Sequence, residues 1–161
     1  MFKLFRKKSV QGNDLLMSKL FDEVTFYRAF GRDLEDARRS VIIESPYLTE
    51  KRAIQFSKLF KRLKKRGVAV RINTRDPRHH DKTLEIQAWK AIKVLKKHGV
   101  KVFICSDMRH RKLAIIDNRI LWDGSLNILS QSHSMEIMRR TNSTTLCKQM
   151  ISFTGLWNRY R

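Results

Sequence analysis

The stretch "HRKLAIIDNRILWDGSLN", residues His110 to Asn127, sets the apolar run Leu113 to Ile116 between a His-x-Lys at one end and an Asp at the other. A second apolar run, "RILWDG", follows at once across Asn118. Two such runs joined so closely predict an antiparallel hairpin. Side chains alternate between the faces of a strand, so His110 and Lys112 point the same way. The return strand delivers Gly124 and Ser125 beside them. Glycine removes the Cβ obstacle, while Ser125 and Asn127 offer a hydroxyl and an amide as hydrogen-bond donors. Imidazole is a nucleophile or proton carrier near neutral pH, and an ammonium is a counter-charge for phosphate. Converging, these groups make a pocket for a tetrahedral phosphate. Taken singly they read as a surface His, a solvated Lys and an ordinary turn.

Upstream of the hairpin the pattern repeats. "RAFGRDLEDARR" is polar and helical, and "SVIIESPYL" is a short apolar strand ending at Pro46. "TEKRAIQFSKLFKRLKKRG" predicts a helix with Thr49 as N-cap and Gly67 as its stop. Its apolar positions Ile54, Phe56, Leu59, Phe60 and Leu63 fall at near-helical spacing, and the remaining face is Lys and Arg. The strand "VAVRINT", the loop "RDPRHHDK", the helix "TLEIQAWKAIKVLKKHG" and the strand "VKVFIC" follow. Twice a basic helix ends in a Gly and feeds a Val-rich strand, the sign of a βαβ arrangement with parallel strands. After the hairpin, "HSMEIMRRT" reads as a last strand and "TLCKQMISFTGLWNRY" as a closing helix. The expected fold is α/β: one domain, residues 23–161, with a mixed β-sheet flanked by helices. Residues 1–22 read as a basic N-terminal extension of weak helical periodicity, best used as a flexible arm.

The charge balance narrows the partners. Of 161 residues, 35 are Lys or Arg and 15 are Asp or Glu, a formal net charge of +20. That excess points to a polyanion, nucleic acid before an anionic membrane surface. The hydrophobic fraction of 42% is ordinary for a globular chain and argues against wholesale disorder. Cys105 ends an apolar run and reads as a buried thiol, and two cysteines make no disulfide framework. No apolar run reaches membrane-spanning length, and "MFKLFRKKSV" lacks a secretory apolar core, so a cytoplasmic location is expected.

The joint spacing carries more than its members. His110-x-Lys112, four residues, Asp117, six residues, Gly124-Ser125 and then Asn127 resembles the signature of the phospholipase D superfamily at every interval. Glu136 in "HSMEIMRR" stands where that family has a carboxylate that orients the histidine. The resemblance covers about residues 24–142. It implies a phospholipase D-like fold and a catalytic set of His110, Lys112, Asp117, Ser125, Asn127 and Glu136. Enzymes of this superfamily build one active site from two such motifs, and this chain carries one. The resemblance therefore implies a homodimer, as in the small bacterial endonucleases with one motif per chain. One His110 would attack phosphorus and its partner would protonate the leaving oxygen. Lys112 and Asn127 would hold the non-bridging oxygens, with Ser125 supporting them. Glu136 would accept a hydrogen bond from the far imidazole nitrogen. Asp117, after the strand, is better placed to brace the hairpin or a dimer seam.

This route needs no metal and no cofactor, because protein cations take the metal's part. A competing metal reading would use His79, His80, Asp81 and His110, but adjacent histidines point apart in an extended loop, and no pair shows zinc spacing. "RDPRHHDK" reads instead as a rim loop near the strand ends, with Arg75, Arg78 and His79 as substrate contacts. The substrate is expected to be nucleic acid, DNA before RNA. Two basic clusters, Lys58 to Arg66 and Lys90 to Lys97, read equally as groove or as solvated helix faces. No apolar lid suggests an acyl-chain pocket. The alternatives are a phospholipase D-type hydrolase of an acidic phospholipid at a membrane, or a nucleic-acid-binding module active only beside a partner protein such as a helicase.

Overall fold

A computed structural model describes residues 17–130 and 133–156. Strands β1 (Ser18–Asp22), β2 (Ser40–Glu44), β3 (Ala69–Arg75), β4 (Lys101–Cys105), β5 (Leu113–Ile116), β6 (Ile120–Gly124) and β7 (Ile137–Asn142) form one sheet. Its order is β1-β7-β6-β5-β2-β3-β4. Strands β2, β3 and β4 are parallel, and every other pair is antiparallel. The crossovers are helices α2 (Glu50–Lys65) and α3 (Lys82–Lys97), with α1 (Phe26–Asp36) before them and α4 (Thr144–Thr154) after β7. The α/β fold with a mixed sheet is as the sequence patterning predicts.

Local chemistry sets the helix limits. The side chains of Thr49, Asp81 and Ser143 each accept a hydrogen bond from the amide three residues on, capping α2, α3 and α4. Gly67 and Gly99 follow α2 and α3 at φ of 78° and 82°, a left-handed turn that releases the chain into the next strand. Five apolar residues of α2, Ala53, Phe56, Leu59, Phe60 and Leu63, are buried against the sheet, whereas Ile54 is exposed.

The sheet is covered on both sides. On one face Val41, Ile43, Ile72, Ala114, Ile116 and Trp122 pack with apolar residues of α1, α2 and α3. On the other, Ile42, Leu113, Ile115 and Leu121 pack with Cys147 and Ile151 of α4. Strand β5 contributes to both clusters, which explains its unbroken Leu-Ala-Ile-Ile run. Cys105 and Cys147 are both buried and form no disulfide among the described residues, and burial pushes the Cys147 thiol up to about 11.

One boundary differs from the sequence reading. Ser18–Asp22 belongs to the sheet: it is edge strand β1, paired antiparallel with β7 from Ser18 opposite Thr141 to Asp22 opposite Ile137. Its half-exposed, charged composition hid the strand period. The rest of the predicted extension, residues 1–16, lies outside the described residues, as do residues 157–161 of the predicted closing helix. Among the described residues, no helix is long and apolar enough to cross a membrane.

Candidate active site

Register collects the motif at one edge of the sheet. Glu44 at the end of β2 faces Asn73 of β3 and Leu113 of β5, Leu113 faces Asp123 of β6, and Gly124 faces Met138 of β7. Lys112 just before β5, Ser125 just after β6 and Glu136 just before β7 therefore share that edge. The loops after β2 and β3 open onto it as well, bringing Tyr47 and His80. This is the carboxyl edge of the parallel strands, where α/β sheets place their sites.

At its centre, Lys112 Nζ lies 2.6 Å from His110 Nδ1 and donates to the His110 carbonyl oxygen at 2.7 Å. The imidazole's pKa is lowered from its usual value by partial desolvation, then by the cations Lys112 and Arg75. Desolvation also lowers the Lys112 ammonium, with Glu136 pulling it back up. The pair thus favours a neutral imidazole beside a charged ammonium, the state a nucleophilic histidine needs.

Ser125 is held by three contacts. Its hydroxyl donates to the Glu136 carboxylate and accepts from the Ile137 amide at 3.1 Å, and its own amide donates to the Ile137 carbonyl at 2.9 Å. Asn127 Oδ1 is buried with no hydrogen-bond partner among the described residues. A buried, unpaired amide oxygen is a group awaiting a donor.

Several of the predicted site residues have partners of their own. Glu136 accepts hydrogen bonds from Ser125 and Ser134, and its charge acts on Lys112; the imidazole nitrogen expected for it is occupied by the Lys112 ammonium. Asp117 stands at the opposite edge, in the turn between β5 and β6. Its carboxylate accepts from the amides of Arg38, Arg39 and Ser40 at 2.8, 2.7 and 3.0 Å. It braces the entry to β2, the part expected of it from its place after the strand. Arg78 turns its guanidinium to Asp76, 2.6 Å away, and the bond holds the Asp76 carboxyl down to about 2. His79 is exposed beside it.

The residue that turns inward is His80, which the sequence reading had set aside with the metal alternative. Its ring lies 4.8 Å from that of Tyr47, which in turn meets the His110 ring edge-on at 5.9 Å. His80 Nε2 and Arg75 Nε are buried without partners among the described residues. Arg75, one of the predicted contacts, is close enough to His110 to depress its pKa. Tyr47 and His80 gave no signal in sequence, since two separate loops bring them together.

Beside Ser125 and Glu136 runs an open groove of about 690 Å³, also lined by Leu20, Met135, Ile137, Asp123 and Arg139. Met135 is 91% exposed, and Leu20 and Ile137 are exposed too. The sequence reading saw no apolar lid; the structure has an apolar lip at this end. Among the described residues, no three His, Cys, Asp or Glu side chains converge as metal ligands.

The fold is shared with solved structures. NucT from Helicobacter pylori matches with a TM-score of 0.67 at 22% identity, over 84% of this chain and 91% of that one. The phospholipase D family member Nuc from Salmonella typhimurium matches with a TM-score of 0.71 at 21% identity, over 89% and 95%. TrmBL2, an archaeal chromatin protein, matches at 14% identity with a TM-score of 0.60, over 89% of this chain and 53% of that one. A search of curated proteins gave no match. The sequence profile of the family described as "Cardiolipin synthase, PLD-like domain" matches residues 31–157, most of the chain, and the chain belongs to that phospholipase D-like family.

Proposed function

We propose that the protein is a metal-independent phosphodiesterase that cleaves nucleic acid through a phosphohistidine, at a site shared by two copies of the chain. The carrying observation is the His110–Lys112 pair at the carboxyl edge, with Ser125 and Glu136 on the same edge. An arriving phosphate is a stronger partner for the Lys112 ammonium than a neutral ring nitrogen, so binding frees the imidazole to attack. A His110 nitrogen then forms the N–P bond as the P–O bond to the leaving nucleotide breaks. The partner's imidazolium gives its proton to that oxygen. Restored to its neutral form, the same imidazole takes a proton from water. The hydroxyl forms a P–O bond and the N–P bond breaks. Lys112, Arg75 and Asn127 offset charge on the non-bridging oxygens.

One motif supplies one histidine, and the two-step route uses two, which supports the dimer. The net charge of +20 and the likeness to Nuc and NucT support a nucleic-acid substrate. The apolar lip of Leu20, Met135 and Ile137 favours a second reading, hydrolysis of an acidic phospholipid at a membrane.

The test is incubation of purified protein, in EDTA, with labelled single- and double-stranded DNA, RNA and cardiolipin vesicles, alongside a mass measurement by light scattering. The expected outcome is chelator-resistant cleavage of nucleic acid by a dimer. Cleavage of cardiolipin alone replaces the substrate, magnesium-dependent rescue replaces the mechanism, and a fully active monomer removes the shared site.

A further inference from the structure

The segment from Asp107 to Lys112, "DMRHRK", carries an arginine on each side of the nucleophile. His110 and Lys112 point out to the site, and Arg109 and Arg111 point back. Both meet Glu44, the last residue of β2, whose side chain is 0% exposed. Arg109 Nη1 donates to Glu44 Oε1 at 3.3 Å, and its remaining nitrogens bind Asp107 twice at 2.7 Å. Arg111 Nε and Nη2 grip the two Glu44 oxygens at 3.1 and 3.3 Å. The Arg109 side chain is 2% exposed and that of Arg111 42%.

A buried ion pair is poor evidence of stability, because desolvation offsets much of its attraction; what it fixes well is geometry. Here two of the forks are bidentate, the arrangement that sets direction as well as distance. The four charges, two of each sign, sum to zero, so the cluster needs no ligand to complete it. We infer that Glu44 is the positioning residue of the catalytic pair: by bridging Arg109 and Arg111 it pins the backbone on both sides of His110 and fixes where His110 and Lys112 reach. The inference rests on the phosphodiesterase reading for the roles of those two residues. The proposed reaction leaves this buried carboxylate without a task of its own, and its place explains it. It sits on the strand next to β5, one register step from Lys112, so holding Arg111 from there holds the start of β5 against β2.

The test uses Arg111, which is exposed enough to be replaced without unfolding the chain. For Arg111→Gln the expected result is a kcat lowered by about 10-fold or more, with KM and its salt dependence unchanged. Arg111→Lys is expected to recover part of the loss, since a lysine restores the charge without the fork. NMR order parameters of backbone amides 109–112 should fall from about 0.85 toward 0.6 in Arg111→Gln, while β2 and β5 stay rigid. Glu44→Gln should show the same kinetic and NMR signature; should it fail to fold, the two Arg111 variants decide. A raised KM with unchanged kcat and unchanged order parameters makes Arg111 a substrate contact and overturns the inference. If the parent cleaves nothing, the functional reading falls, and the order parameters still decide whether the clamp exists.

Discussion

The two ends of the β5–β6 hairpin carry the same sort of residue and do opposite things. At one end His110, Lys112 and Ser125 face a site whose polar groups remain partly unpaired. At the other, Asp117 and Asn118 form a two-residue turn with φ of 53° and 54°, closed by the Arg119 amide on the Ile116 carbonyl at 3.0 Å. Those angles suit the right-handed twist of a hairpin, and Asn and Asp tolerate them best. There the carboxylate is fully engaged, with three amides around it. The lesson is that one spacing motif joins a chemical end to a structural end through four residues of strand. A matched interval tells that both are required, and only the hydrogen bonds tell for what.

The sharpest way to break this comparison is to cut each end separately. On the proposed mechanism, His110→Ala removes the nucleophile and the general acid together, since both would come from one position in a dimer. Cleavage is expected to fall by about 10⁴-fold or more. Binding to nucleic acid, measured by titration at fixed salt, should stay close to that of the parent. Asp117→Ala should do the reverse. It leaves the amides of Arg38, Arg39 and Ser40 without that acceptor and puts an alanine at a left-handed φ of 53°, and is expected to destabilise the fold by about 1–3 kcal/mol in urea. The rate per folded molecule should be unchanged. A catalytic loss in Asp117→Ala without loss of stability would return Asp117 to the active site.

Acid titration separates the ends again. Burial opposes charge on Asp117, but the amides of Ser40, Arg38 and Arg39 prevail and its pKa is lowered. Its contribution to stability is therefore complete above the ordinary carboxylate value and is lost as pH falls through the lower native one. Asp117→Asn should flatten that acid slope. In the proposed reaction the attacking His110 must be neutral, while the partner's His110 enters protonated. With desolvation, Lys112 and Arg75 all depressing its pKa, the acid limb of kcat/KM should lie below the ordinary histidine value near 6.5. Removing a cation eases protonation, so Arg75→Gln should move that limb upward. A limb that stays in place would mean that Arg75 does not sense the imidazole.

How far sequence could go differs by residue in a physical way. The hairpin, the βαβ unit and the helix stops were legible because periodicity, caps and glycines act within a few residues. His110, Lys112, Ser125 and Asn127 were legible because one hairpin delivers them. Glu44 was read as part of an apolar strand, since its partners lie 65 and 67 residues away. Asp117 reaches amides 77 to 79 residues back, so its place after the strand is legible in sequence and its partners are not. His79 and His80 are indistinguishable in sequence because nothing local says which of two adjacent rings a short 3₁₀ turn, Pro77–His79, will swing toward Tyr47.

The smallest expected effect concerns the basic helices, and it extends the comparison to the whole molecule. Helix α2 starts at the site edge and runs 16 residues, about 24 Å, toward the edge that holds Asp117. Its cations Arg62, Lys64 and Lys65 crowd the last turn, where they also complement the helix dipole. Arg62 already pairs with Glu35 at 3.0 Å. On the proposed reading, a substrate threaded through His110 would meet Arg75 and Lys112 first. Replacing those two together should lower the slope of log K against log salt by about 2, near 0.9 for each lost phosphate contact with duplex. Replacing Lys61, Arg62, Lys64 and Lys65 by Gln should change the slope by less than about 1, although twice as many charges are removed. Binding titrations between low and moderate salt read both numbers. Were the α2 variant to show the larger drop, the nucleic acid would be running along the helices toward the far edge, and that end of the molecule would be an interface as well as a brace.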